Sequence, residues 1–206
     1  MTSYSISDMV MEVKVLLDRN RTNSALVSAG DVETLQQDAL IEPRILEAVQ
    51  LIELHAPTSM LTDAQVVTAT NASAYTFTEP ILRLVGVRGS GWGRAPRMIT
   101  SEDEEYSYQH SPYGVKGNNE RPYCAVIDNG GYVKLEFFPS TTANITYLPI
   151  PSVSNGYVSI CKACKHAVVY AAASLVSGAM GDANGASTLL GMAYQMAGIQ
   201  TGQTDK

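Results

Sequence analysis

Residues 123–140 read YCAVIDNGGYVKLEFFPS. Tyr123, Ala125 and Ile127 alternate with Cys124, Val126 and Asp128 as far as Asn129, Gly130 and Gly131. Beyond the glycines, Tyr132, Lys134, Glu136 and Phe138 alternate with Val133, Leu135 and Phe137. A period of two on both sides of Asn-Gly-Gly predicts a β-hairpin. Successive side chains of an extended chain point to opposite faces, and glycine supplies the backbone freedom of a tight turn. The stretch holds no evident nucleophile, general base or metal ligand, which raises the question of what so clearly specified a hairpin does.

Around the hairpin the same character persists. From Thr58 to Pro151 the chain is rich in Thr, Val, Tyr, Gly and Pro. Turn residues separate candidate strands at Gln65–Thr70, Ala74–Phe77, Ile81–Val87, Arg97–Ile99, Tyr132–Pro139 and Asn144–Leu148. On either side the pattern is helical. Ser7 is the expected N-cap of a first helix, with Val10, Val13 and Leu17 on one stripe to about Arg19. Residues 20–30, Asn20 to Gly30, are polar and small and read as a loop. A second pattern runs from Asp31 to His55, interrupted by Pro43. The proline predicts two pieces, or one helix from near Ile41 with Pro43 in its first turn. Ile45, Val49, Ile52 and Ala56 form its stripe, and Pro57 stops it.

After LPIPSVSNG, Tyr157 to Ser177 reads as an alanine-rich helix with Val168, Ala172, Leu175 and Val176 on one stripe. Gly178 and Gly181 break it. A last helix over Ala186–Ala197 carries Leu189, Leu190, Met192, Ala193 and Met196, and the tail TGQTDK reads as frayed or used by a partner. The expected fold is α+β: a helical bundle of N- and C-terminal helices with an inserted, mostly antiparallel β sub-domain. The boundaries are residues 1–57, 58–151 and 152–206, without internal repeat and without βαβ alternation.

Composition narrows the function classes. The 206 residues are 45% hydrophobic and 17% charged, an ordinary globular mix. A chain of this size buries roughly 70% of its extended surface on folding. A net charge of −6 argues against duplex-DNA binding, because phosphate neutralisation needs a basic surface. An acidic wall still suits DNA that must slide without sticking. No apolar run reaches the roughly 20 residues of a membrane span, and no basic segment precedes an apolar core at the N-terminus. An odd count of 3 cysteines argues against a disulfide framework and for synthesis in a reducing cytoplasm.

Candidate chemistry is sparse. Cys161 and Cys164 have CxxC spacing with His166 beyond them, but a second CxxC is absent and His55 and His110 are distant in sequence. Zinc needs about four ligands, so two packed thiols on a helix are the stronger reading and no metal is expected. Gly89, Gly91 and Gly93 in GSGWGRAP lack the Lys and following helix of a phosphate loop. Trp92, the single tryptophan, either packs on the β core or anchors an interface. Arg83, Arg88, Arg94 and Arg97 are followed at once by Glu102, Asp103, Glu104 and Glu105 in what reads as a polar loop. Such a pair of stretches is either a dipolar surface meeting its complement on a neighbouring subunit or two solvated faces. The nine residues Arg83, Arg88, Trp92, Arg94, Arg97, Glu102, Asp103, Glu104 and Glu105 are the candidate interface. Four consecutive acids in a polar loop lack the burial that tunes a general acid, and no Ser/His/Asp set has local support. The chain is not expected to be an enzyme or to bind a cofactor.

Three segments carry a resemblance. IEPRILEAVQLIELHAP resembles the long helix, ending in Ala-Pro, of a head–tail connector ring protein of the crAss-like short-tailed bacteriophages. ILRLVGVRGSGWGRAPRMITSEDEEYSYQHSPYGVKGNNERPYCAVI resembles its β insert, and CKACKHAVVYAAASLVSGAMGDANGASTLLGMAYQMAGI its closing helix pair. More broadly the chain is similar to the adaptor or tail-tubular proteins that sit below the portal. The resemblance implies a virion protein assembled as a homo-oligomeric ring, commonly a dodecamer. The portal and adjacent ring or tail proteins would be its partners. Genomic DNA would pass through without specific binding, no membrane would be involved, and synthesis would be in the bacterial host cytoplasm. The contrasting expectation, from the β insert alone, is a soluble monomeric module that binds a carbohydrate or a peptide.

Overall fold

The computed structural model describes residues 1–17 and 32–200, with residues 32–38 described by backbone alone. The expected helix end at Arg19, the loop at 20–30, the helix start at Asp31 and the tail at 201–206 lie outside the described residues. The fold is α+β, with mostly antiparallel sheets. The chain divides into two compact units, one made by Met1–Asp63 with Pro151–Lys206 and one by Ala64–Ile150.

In the first unit, β1 (Thr2–Ser5) runs into α1 (Ile6–Leu16). The cap is Ser5, whose hydroxyl accepts the Asp8 N–H at 3.4 Å, so the expected Ser7 cap is displaced by two residues. Ile6, Met9, Val10 and Val13 face inward at the 3–4 spacing of a helical stripe. The next helix, α2 (Val32–His55), is one element of 24 residues with Pro43 inside it, not two pieces. Proline removes one backbone hydrogen bond. Here the fully buried face of Ile45, Ala48, Val49, Ile52 and Ala56, which Ile41 extends upstream of Pro43, offsets that loss. A short 3-10 turn at Thr58–Met60 follows. Leu61 is buried, and Asp63 accepts the Lys162 N–H at 3.1 Å, so this unit extends to Asp63 where the sequence alone places a boundary after Pro57.

The return segment differs from its sequence reading. Tyr157–Ile160 is a strand, β8, rather than the start of a helix. It pairs with β7 (Val153–Ser154) across a two-residue turn, Asn155-Gly156, and on its other edge with β1. Asn155 and Gly156 have φ of 52° and 79°, the left-handed pair that a tight hairpin turn demands. Cys161 then starts a 3-10 turn at Lys162–Cys164, and α4 (Lys165–Ala179) follows. It packs against α1, α2 and α5 (Ala183–Met196), so its buried residues are not confined to one stripe, and alanine allows that close approach. α2 and α4 are thus in contact although the β-rich segment separates them in sequence. Asp182 caps α5 by accepting the Gly185 N–H at 2.9 Å, which moves its start from Ala186 to Ala183.

The second unit is a five-stranded sheet built on one long strand. β6 (Val133–Pro149) is 17 residues and joins the two strands read separately at Tyr132–Pro139 and Asn144–Leu148. On one edge it pairs along β2 (Gln65–Thr76). On the other it pairs first with β5 (Tyr123–Asp128) and then with β3 (Ile81–Gly89). Pro139 stands where β6 has left β5 and not yet reached β3, so its missing N–H falls between two ladders. β4 (Arg97–Thr100) pairs with β5 in parallel, through a crossover containing α3 (Glu104–His110). This one β–α–β connection corrects the reading of no such alternation. Phe77, Cys124, Leu135, Phe137, Ala143 and Ile145 fill the core.

Candidate interface on the β-rich unit

The predicted hairpin forms: β5 and β6 pair from Tyr123↔Phe138 to Asp128↔Val133. The Asn129 N–H donates to the Tyr132 carbonyl at 2.8 Å, and the Gly131 N–H donates to Asp128 Oδ1 at 2.9 Å. Leu135 and Phe137 face the core. The other face carries Lys134, Glu136 and Phe138, and it holds α3. Glu136 accepts from Lys134 Nζ at 2.7 Å and from the Tyr106 hydroxyl at 3.2 Å, while His110 Nε2 lies 3.3 Å from it. The His110 ring sits between Tyr106 and Phe138, at 4.6 and 5.4 Å. Burial alone would raise the Glu136 carboxyl, but the Lys134 hydrogen bond and charge, with Tyr106 and His110, outweigh it and hold the carboxyl low. The hairpin is thus a platform for α3.

The acidic run is not a loop. Glu102 precedes α3, and Asp103 is its N-cap residue. Asp103 Oδ2 accepts the Thr100 N–H at 2.6 Å and the Thr100 hydroxyl at 3.0 Å, and these bonds hold its carboxyl below the usual range. Glu105 pairs with Arg97 at 2.6 Å. Asp103, Glu105 and Arg97 are therefore spent inside the unit. Glu102 and Glu104 remain exposed and their side chains bond to nothing among the described residues. The helix escaped sequence reading because it spans two turns and buries only Gln109, which leaves no apolar stripe to see.

The arginines separate as well. Arg83 lies in the first half of β3 opposite Leu148. Arg88 lies near its end, opposite Asn144. The chain then turns back: the Trp92 N–H donates to the Gly89 carbonyl at 3.3 Å and the Gly93 N–H to the Asn119 carbonyl at 2.7 Å. This lays the indole flat on Gly89, where a Cβ would stand 2.5 Å from Trp92 Cδ2. Trp92 also meets Phe137 edge-on at 6.1 Å, so the tryptophan does pack on the β core. Its exposed part, with Arg88, Gly89, Arg94 and Asn144, lines a concavity of about 330 Å³. The structure thus brings Arg88, Trp92 and Arg94 together, and sets Arg83 and Arg97 apart from them.

Sequence reading missed a neighbouring feature. Buried Gln109 accepts the Gly117 N–H at 2.7 Å and donates to the carbonyls of Glu105 and Val115 at 3.3 and 3.4 Å. The loop so braced presents Tyr113 and Val115, 98% and 88% exposed. A buried amide a few residues upstream sets this up, and its partners are backbone atoms with no sequence signature.

The CxxC does not lie within a helix; it spans the 3-10 turn before α4. Burial pushes the Cys164 thiol up to about 12 and the Cys161 thiol higher still, with Glu53 and Asp63 adding to both. Such thiols are inert. His166 instead lines a groove between α1 and α4 with Met11, Val15 and Tyr170. Among the described residues no three His, Cys, Asp or Glu side chains gather to hold a metal ion, and no helix is long and apolar enough to cross a membrane. No family model and no curated protein matches the chain.

Proposed function

We propose that this chain is a structural ring subunit of a phage head–tail connector, seated below the portal as part of the DNA-ejection conduit. In this reading the unit formed by both ends of the chain is the helical ring body. The β-rich unit inserted between them reaches a neighbouring ring or the tail. The observation that carries the proposal is the loop bearing Tyr113 and Val115. Two large apolar side chains held in water on a braced loop are costly in a monomer and become anchors once a partner covers them. The helical unit adds to this: Met11 and Val15 on α1, and Met192 and Met196 on α5, are all exposed. Methionine suits an apolar contact that must adapt to its partner. The negative charge of the chain suits a conduit that lets DNA pass.

The concavity at Trp92 favours the second reading, a monomeric module that binds a peptide or a carbohydrate. Proteomics of purified particles of the encoding phage, with native mass spectrometry of the chain released from them, separates the two. The connector reading expects stoichiometric amounts and a ring mass. Tyr113→Ser with Val115→Ser should lower incorporation while the isolated chain stays folded. Absence of the chain from particles overturns the connector reading.

A further inference from the structure

We propose that the concavity at Arg88, Trp92 and Arg94 is a carboxylate-binding site whose occupant is the acidic turn Glu102–Glu104 of a second copy of this chain. The inference deepens the connector reading and rests on it for the presence of a second copy. Arg97, by contrast, already has its carboxylate in Glu105. Arg88 and Arg94 are exposed, and neither side chain makes a hydrogen bond or ion pair among the described residues. They flank an indole that cannot drift, because Gly89 lies beneath it and Phe137 meets it edge-on. A guanidinium beside an apolar ring is a stronger carboxylate receptor than one in open water: the fork binds two oxygens at once, and the ring excludes water from one side.

The choice of occupant follows from charge. Glu102 and Glu104 are the two acids of the run that the unit does not use, and they are exposed. A single unit thus carries two unspent arginines and two unspent glutamates, on different segments of it. An identical neighbour related by rotation can then insert its acidic turn into this copy's concavity, with the same contact repeated around a closed ring. A nucleic-acid phosphate is the weaker candidate, because the net charge of −6 opposes the long-range attraction such binding needs.

The test uses the whole chain, its single tryptophan and a synthetic peptide of its own sequence, Thr100–Gln109 (TSEDEEYSYQ). Trp92 emission is followed on excitation at the red edge, where tyrosine does not absorb. The expected result is a saturable change that weakens with salt. The doubly substituted R88Q/R94Q chain, and separately a peptide with Glu102→Gln and Glu104→Gln, should each bind at least about tenfold more weakly. The glutamine peptide needs no protein variant, so the comparison survives a variant that folds poorly. Absence of a saturable change up to millimolar peptide overturns the proposal, and so does equal binding of the two peptides. The connector reading is judged separately by particle incorporation. Wild-type incorporation of R88Q/R94Q would leave that reading standing and remove the acidic turn of a second copy as occupant. Peptide binding by a chain absent from particles would keep the carboxylate site and remove the connector.

Discussion

Glu53 offers the sharpest test of how the helical unit is held. Its side chain on α2 is fully buried, and Oε1 accepts the backbone N–H of Cys161 at 2.7 Å, tying α2 to the junction between β8 and α4. Among the described residues Oε2 has no hydrogen-bond partner, and the Asp63 carboxylate is close enough to repel it. Burial, the largest influence, raises the Glu53 carboxyl above its ordinary value, against the lowering effect of the Cys161 hydrogen bond. Glu53→Gln keeps an acceptor for Cys161 and removes the charge. Its neutral-pH stability should match the wild type or exceed it by up to about 1–2 kcal/mol.

Glu53→Ala removes the acceptor as well. Stranding the buried Cys161 N–H costs about 1–3 kcal/mol, and the cavity brings the total to about 3–5 kcal/mol. The pH dependence has a defined sign. Above the ordinary carboxylate value and below the raised folded one, the folded chain holds a proton that the unfolded chain lacks. This contribution is complete below the ordinary value and is lost as pH rises through the folded value, by at most about 1.4 kcal/mol per pH unit. Urea unfolding of the wild type and both variants between about pH 5 and 8 reads all of this. A Gln variant that loses more than about 2 kcal/mol at neutral pH would refute the reasoning, since the charge itself would then be holding the fold.

Gly89→Ala should cost about 1–3 kcal/mol and shift Trp92 emission to the red, because the new Cβ would meet the indole at 2.5 Å. Gly91→Ala, with nothing within 4 Å, is the silent control. Glu136→Gln should destabilise the β-rich unit by about 1–2 kcal/mol at neutral pH, seen in thermal unfolding. The Glu136 carboxyl is held low, so its contribution is present above the ordinary carboxylate value and lost as pH falls through the folded one; the variant should lack that acid-side loss. All three cysteines are buried free thiols, so a thiol reagent at mildly alkaline pH should modify them only on unfolding. Rapid modification in the native state would show that the region around Cys161 opens.

The strand and helix periods that sequence displays are local, and local chemistry was enough for them. The hairpin at Asn129 formed as expected because its alternation and its glycines agree. The stripe Ile45, Val49, Ile52 and Ala56 is fully buried because only one face of a helix can meet a core. A second local signal, Asn155-Gly156, was passed over. Its strands are only two and four residues long, and the alanine-rich run downstream drew Tyr157–Ile160 into the helix reading. Pro43 predicts a break or a helix start and Pro139 ends a candidate strand, yet each lies inside a continuous element, since neighbouring burial and a gap between ladders offset the lost N–H.

The candidate interface divides along the same line. Sequence alone determined that arginines, a tryptophan and four acids crowd a short turn-rich stretch, because composition and spacing are written there directly. It determined the α+β class and the two kinds of segment for the same reason. Tertiary structure alone decided which charges are spent. Arg97 finds Glu105 only because β4 lies parallel to β5 and the crossover folds α3 onto the hairpin. It also decided that Trp92 lies flat on Gly89 between Arg88 and Arg94. Pairing between segments depends on which backbones are brought side by side, and that is set by the closing of the whole sheet around β6, not by any residue's neighbours in the chain.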